Sequence, residues 1–363
     1  MMVWRSLFGG LIVGLVIAAI MYFFFLSDDL KKSEIEFRVL GTAHAADVIG
    51  PAPSLSFPVA CTIGEDCWCM AFMDLDIRAT YHDHMCGVRT YDAHKGTDIA
   101  PNQKLVKTLD ILAAAPGRVL GTRDGLDDSP MQSEDPARVN MECGNGVRLD
   151  HGNGWTTQYC HMQKGSVAVA KGAVIKVGEK LGRIGSSGWS ELPHLHFQLE
   201  KDGEPIDPFL GDGPSEGGEC TASRGLSTGL WQDAADHNAD SYQPVYIRSV
   251  GLTTEAPTGK QVKFGGYPGI ANPDAGALVA YVVLFGAPEG TVINTRIEGP
   301  AGQTVHTATE TLSRDFAEYF SFSGKKRRNQ DWPSGLYTAR IEVSGTGTTG
   351  PYEFRSQADL ILR

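Results

Sequence analysis

Short runs of β-branched and aromatic residues, separated by glycine and asparagine, fill two long stretches of the chain. The first stretch is residues 91–209, which includes "GRVLGT" and "HLHFQLEKDG", and the second is residues 244–363, which includes "GALVAYVVLF" and "GLYTARIEVSG". Such runs predict strands, and the 43 glycines favour tight turns over long helices. The segment "LDHGNGWTT" predicts a hairpin with a Gly/Asn turn. We therefore expect a mainly β fold.

The same pattern divides the 363 residues into several regions. An acidic, turn-rich stretch at 123–142 predicts an inserted surface loop. The expected regions are a membrane anchor or signal at 1–27, a stalk at 28–60, an antiparallel-sheet domain with a Cys-rich lead-in at 61–210, a linker at 211–243, and an immunoglobulin-like β-sandwich at 244–363.

The N-terminus carries an uncharged apolar run from Leu7 to Leu26, preceded by Arg5. About 20 such residues are long enough to cross a bilayer as a helix. A secretory signal has a shorter apolar region of roughly 7–15 residues, and the small-x-small sequence at 43–45 lies far beyond the run. We expect an N-terminal transmembrane helix, with a cleaved signal as the alternative.

The chain has seven cysteines, an odd number that leaves at least one of them unpaired within the chain. Structural disulfides require an oxidising compartment, which agrees with export of the residues after the anchor. Cys143 and Cys160 lie on the two arms of the predicted hairpin, so they are candidates to pair. Cys67 and Cys69 are separated by one residue, unlike the redox motif Cys-x-x-Cys.

The net charge of −11 argues against a nucleic-acid partner, because phosphate binding needs clustered basic residues. The densest basic run is 325–328, "KKRR". We interpret it as a solvated hairpin loop, with a contact for an anionic polymer as the alternative.

Three histidine-bearing segments follow one another within 91–209, and the second, "HGNGWTTQYCHM", carries His151 and His161. In the third, "HLHF", His194 and His196 point to the same face of a strand, because side chains alternate. Two imidazoles on one face of an apolar strand need a partner, and a metal ion is the obvious one. In the first, "HKGTD", His94 and Asp98 also share a face if the segment is extended. Three N/O ligands with an open fourth position are typical of a catalytic zinc site.

A second His-x-His pair, His82 and His84 in "YHDHM", lacks the apolar strand context. We expect both to be surface residues, with a metal contact lining the groove as the alternative.

Four motifs in order, "RTYDAHKGTDIA", "VRLDHGNGWTTQYCHM", "IKVGEKLGRIGSSG" and "PHLHFQL" with "IDPF", resemble the lysostaphin-type (LytM-like) peptidoglycan metallopeptidases. The resemblance covers about 91–209. It implies one zinc ion bound by His94, Asp98 and His196, with His161 and His194 as catalytic residues. It also implies a zinc endopeptidase that hydrolyses the peptide crosslinks of peptidoglycan. The N-terminal apolar run and the cysteines predict that this site lies outside the cytoplasm, anchored to the cytoplasmic membrane.

Two departures from the family pattern put the peptide specificity in doubt. The segment "WSELP" places Trp189 and Glu191 where small residues are usual, and the loop at 123–142 is long. The rival hypothesis is a catalytically inactive module that binds the wall or activates a separate wall hydrolase. The five filled positions favour the enzyme. A third hypothesis is a structural envelope protein in which the C-terminal sandwich is the working part and zinc only stabilises the fold. An envelope protein bound through the sandwich is a further candidate partner.

Overall fold

The computed structural model describes residues 52–76, 78, 80–101, 109–128, 141–211, 220, 229–232, 242–264 and 266–363. No helix in these ranges is both long and apolar enough to cross a membrane. The predicted anchor at 1–27 lies outside the described residues, as do residues 28–51 of the predicted stalk.

The first half of the described chain is built on one antiparallel sheet, as expected. Its strands run in the order β1-β2-β9-β6-β5-β4-β7, with β10 paired to β9, while β3 and β8 form a separate pair. The strands are β1 (Cys67–Ala71), β2 (Thr97–Pro101), β3 (Asp110–Leu112), β4 (Gly117–Arg123), β5 (Gly146–Gly152), β6 (Trp155–Cys160), β7 (Val174–Ile175), β8 (Lys180–Arg183), β9 (Leu195–Lys201) and β10 (Glu204–Ile206).

The predicted hairpin is confirmed as β5 and β6, joined at Asn153, which has a positive φ. Alternation along β9 separates its two faces. Leu195, Phe197 and Leu199 are buried in the core cluster, so the residues between them belong to the opposite face. That face includes His196.

The C-terminal half consists of two sheets that share one hydrophobic cluster. One has the order β11-β13-β16 and the other β12-β18-β17-β14-β15. The immunoglobulin-like topology stays a prediction. The elements are β11 (Tyr246–Thr253), α1 (Gly259–Phe264), β12 (Ile270–Ala271), β13 (Ala277–Ala287), β14 (Val292–Glu298), β15 (Thr304–Thr311), β16 (Phe316–Lys326), β17 (Gly335–Gly347) and β18 (Gly350–Leu362).

Residues 52–60 of the predicted stalk and 229–232 of the predicted linker pack into the first core, which corrects both predictions at these residues. Leu55 is fully buried and forms a parallel bridge with Trp231. Phe57 and Trp231 pack with their ring centroids 6.1 Å apart. These apolar side chains leave water on folding, so residues 52–60 belong to the domain.

Three disulfides cross-link the first half, and Cys69 is the free cysteine. The predicted Cys143–Cys160 pair is confirmed. The other two are Cys61–Cys67 and Cys86–Cys220.

The prediction that His82 and His84 lie on the surface is wrong. His84 is buried, and its ring stacks on Phe209 at a centroid distance of 4.5 Å, with Phe72 edge-on. His82 is largely buried beside Asp76. Aromatic neighbours distant in sequence cover His84, so its local polar context, "YHDHM", was misleading.

Candidate active site

Three of the predicted site residues converge on one face of the first sheet. Asp98 on β2 is the register partner of His196 on β9. Asp98 Oδ1 lies 2.9 Å from His196 Nδ1 and 3.1 Å from His94 Nε2. The two ring nitrogens are 3.2 Å apart. One oxygen and two nitrogens thus form a small triangle, with His94 and Asp98 almost fully buried.

A tight turn before β2 brings His94 to the triangle. Ala93 has a left-handed φ of 59°, and its N–H donates to the Asp74 carboxylate at 3.0 Å. The Asp74 N–H donates in turn to the His94 carbonyl. Gly96 is required because a Cβ there would lie 2.8 Å from the His196 ring and 2.5 Å from the Phe197 carbonyl oxygen.

The outward nitrogen of each ring faces an acceptor, which sets the tautomer. His94 Nδ1 donates to the Phe72 carbonyl at 2.6 Å. His196 Nε2 donates to Gln198 Oε1 at 3.3 Å, and the Gln198 amide is itself oriented because its Nε2 donates to Glu200 Oε1 at 2.7 Å. The inward nitrogens, His94 Nε2 and His196 Nδ1, are therefore left with lone pairs for a metal ion.

The donor set fits zinc. Tetrahedral bonds of about 2.0–2.2 Å place donors about 3.3–3.6 Å apart, slightly wider than the sides of the triangle. Burial alone would raise the pKa of Asp98, but electrostatic interactions with the imidazoles of His94 and His194, and the short contacts of the carboxylate with His196 and His94, hold that pKa well below its ordinary value. The carboxylate is therefore ionised at neutral pH, as a metal ligand must be.

His161 stands directly after β6, with its ring centroid 6.1 Å from that of His196. Its φ of 61° is unusual for a residue other than glycine. The backbone is held in this position because its N–H donates to the Cys143 carbonyl at 2.8 Å, beside the Cys143–Cys160 disulfide. The ring Nδ1 donates to the Ser187 carbonyl at 2.8 Å, so Nε2 carries the lone pair.

His194 lies beside His161, with 4.6 Å between the two ring centroids. Its Nε2 is 3.6 Å from Asp98 Oδ1, and its Nδ1 donates to the Leu192 carbonyl at 2.8 Å. Burial, with the neighbouring imidazoles, lowers the pKa of both His161 and His194. Both rings are therefore neutral at pH 7 and able to accept a proton.

Tyr91 completes the site and was missed by the sequence reasoning. Its ring stacks on His94 at a centroid distance of 4.3 Å, and its hydroxyl donates to Asp98 Oδ2 at 3.3 Å. Burial of the hydroxyl and the charge of Asp98 raise the pKa of Tyr91, so it stays a donor. The ring is 45% exposed and forms part of the rim. The available sequence signal was an aromatic residue with a hydroxyl three positions before a predicted metal ligand.

The two departures noted in the sequence lie, where they are described, in or beside the segment that leads to His194. Trp189 is 40% exposed, while Glu191 contacts Lys263 of α1. Residues 123–128 and 141–142 of the insertion at 123–142 are described, and Asp128 accepts the Ser186 N–H at 3.0 Å. The start of the insertion is thus fixed beside the segment that leads to His194.

Comparison with known proteins identifies the region that carries these residues. The model for "Peptidase family M23" matches residues 92–208. DD-carboxypeptidase/endopeptidase Mpg of Neisseria meningitidis is 38% identical over 65 residues, 18% of this chain and 14% of that protein. Peptidoglycan DD-endopeptidase ShyA of Vibrio cholerae is 35% identical over 77 residues, 21% of this chain and 17% of that protein.

Among solved structures, the catalytic domain of lysostaphin from Staphylococcus simulans is 26% identical, with a TM-score of 0.24. The match covers 32% of this chain and 76% of that one. The chain thus spans less than a fifth of the length of the two relatives named above. The family match contains all five predicted site residues, and residues 92–208 therefore form a peptidase family M23 domain.

Proposed function

We propose that the protein is a zinc-dependent endopeptidase that hydrolyses the peptide crosslinks of peptidoglycan. The observation that carries the proposal is the triangle of inward-facing donors flanked by two neutral imidazoles. The M23 domain and relatives named as DD-endopeptidases support a peptidase and its wall substrate.

The zinc ion would be held by His94 Nε2, Asp98 Oδ1 and His196 Nδ1. Zinc bound in such a site lowers the pKa of its water to about 7 and polarises a carbonyl. The ligand residues contribute by being preorganised, since Phe72, Gln198 and Tyr91 fix the orientation of the ligand side chains before any metal binds.

His161 and His194 act on protons and on the substrate. Each donates Nδ1–H to a backbone carbonyl, so each presents Nε2 to the space beside the triangle. A neutral imidazole there accepts a proton from the attacking water and, once protonated, donates a hydrogen bond to the oxyanion. Either histidine can take the proton, and the one that takes it then donates the hydrogen bond to the oxyanion.

The site is proposed to work outside the cytoplasm, tethered to the cytoplasmic membrane through residues 1–27. The three disulfides support an oxidising compartment. We propose a sandwich domain at 244–363, as the sequence predicts. The peptidase domain predicted at 61–210 is extended to include residues 52–60 and 229–232, which pack into its core.

Digestion of purified wall sacculi by the full chain in detergent tests the proposal. Peptides released from crosslinks and identified by mass are the expected result, and His161→Ala should release none while keeping its metal. If the wild-type chain is inert but stimulates a separate wall hydrolase, the inactive-module hypothesis replaces the enzyme.

A further inference from the structure

The segment that leads to His194 is held by the C-terminal half of the chain. Leu192 is 2% exposed and belongs to a hydrophobic cluster separate from the two main cores. The cluster joins Met70 and Ala100 of β1 and β2 to residues of the C-terminal half. Those residues are Tyr246, Val262, Tyr281, Val283 and Phe285.

Glu191, one residue before Leu192, takes part in an ion-pair cluster with Lys263 and Glu318, which we call the clamp. Lys263 Nζ on α1 lies 2.6 Å from Glu191 Oε2 and 2.7 Å from Glu318 Oε1 on β16. The Lys263 side chain is 13% exposed, so its ammonium group is enclosed between the two carboxylates. Glu191 itself is 73% exposed, which makes its pair with Lys263 weak as a source of stability. Its effect is on position.

Leu192 connects this clamp to the proton-handling group. Its carbonyl oxygen accepts the His194 Nδ1–H at 2.8 Å and the Ser190 hydroxyl at 2.6 Å. The carbonyl therefore fixes both the tautomer and the ring direction of His194. A shift of Leu192 would turn Nε2 of His194 away from Asp98.

We propose that the C-terminal half is a positioning element for the active site, in which Lys263 and the apolar contacts of Leu192 hold residues 186–194 so that His194 faces the metal triangle. The catalytic consequence rests on the proposed function. Lys263 and Glu191 are positioning residues, because they act on His194 through the Leu192 carbonyl.

The proposal accounts for one departure from the family pattern. Glu191 belongs to "WSELP", where small residues are usual, and its partner Lys263 lies in the region that the family match does not cover. The unusual segment and the additional C-terminal region are thus joined by direct contact.

Two substitutions with matched controls test the proposal in the full chain. Lys263→Met removes the charge but keeps the apolar stem, and Lys260→Met makes the same change at an exposed position of α1. Glu191→Gln alters the exposed end of the clamp, where folding is not at risk, and Glu204→Gln is its exposed control.

The first readout is hydrogen exchange, which does not depend on peptidase activity. The Trp189 N–H donates to the Glu142 carbonyl and the His194 N–H to the Gly185 carbonyl, so both amides report on the segment. Exchange across 186–194 should be roughly fivefold faster in Lys263→Met and Glu191→Gln than in their controls. Unchanged exchange in both variants would overturn the proposal.

The second readout is turnover on wall peptides with metal content measured in the same sample. The two clamp variants should keep their zinc and lose roughly tenfold in kcat with little change in KM, because small misplacements of catalytic groups are costly. An unchanged kcat despite faster exchange would overturn the catalytic part. If the wild type is inert on sacculi but hydrogen exchange across 186–194 is still faster in the two clamp variants than in their controls, the positioning role is supported and the proposed function is refuted.

Discussion

Gln198 is expected to control metal affinity without contacting the metal. Its Oε1 accepts the outward N–H of His196 at 3.3 Å, and its Nε2 donates to Glu200 at 2.7 Å. Glu200 is in turn paired with Arg148. Gln198→Leu removes the acceptor, so His196 loses the group that keeps its proton away from the metal-facing nitrogen.

The size of the effect follows from this geometry. Loss of such an outer partner typically weakens metal binding by about 10–100-fold. The His196–Gln198 hydrogen bond is long, so we expect the lower end of the range. A tenfold weaker Kd corresponds to about 1.4 kcal/mol.

Competition with a fluorescent zinc chelator measures the Kd of the full chain and of the variant. Gln158→Leu is the control, because Gln158 on β6 is the register partner of Gln198 and its amide contacts Cys160 Sγ instead of a ligand. The reasoning is refuted if Gln198→Leu binds zinc as tightly as the wild type, or if the control weakens binding equally.

Three further predictions concern the first core. The Ala114 N–H donates to the Tyr159 hydroxyl at 2.8 Å, and Tyr159→Phe removes this acceptor. A buried amide without a partner should lower the free energy of unfolding by about 1–3 kcal/mol in urea titrations; a change below about 0.5 kcal/mol would contradict this. Burial raises the pKa of Cys69 to about 12, so a thiol reagent at neutral pH should label this half-buried thiol far more slowly in the folded than in the unfolded chain, and equal labelling rates would contradict the raised pKa. Burial also lowers the pKa of His151. The unfolded chain therefore binds that proton more readily, and stability should fall as pH drops below about 6.5. His151→Gln should reduce this fall in urea titrations across that range, and an identical slope would exclude His151 as a cause.

Much of the metal triangle could be predicted because strand periodicity is local. Alternation along "HLHF" predicts that His194 and His196 share a face, and the structure places both beside Asp98. The hairpin of β5 and β6 follows from its Gly/Asn turn in the same way. These inferences use only neighbours in sequence.

The remaining features depend on contacts between distant residues. The Phe72 carbonyl that orients His94 is a backbone atom with no sequence signature. The burial of Leu55 by Trp231 and the contact of Glu191 with Lys263 join segments far apart in the chain. Pro51 and Pro53 suggested a stalk near Leu55, and the Gly, Ser, Asp and Ala around Trp231 suggested a linker, but tertiary packing decides burial.

Metal content measured by elemental analysis tests the central claim most directly, with the wild type, His161→Ala and His196→Ala purified identically and supplied with zinc. The account predicts about one zinc ion per chain for the wild type and for His161→Ala, and almost none for His196→Ala. A folded wild type that binds no zinc, or a His161→Ala variant that loses it, would contradict the assignment of His94, Asp98 and His196 as the metal ligands.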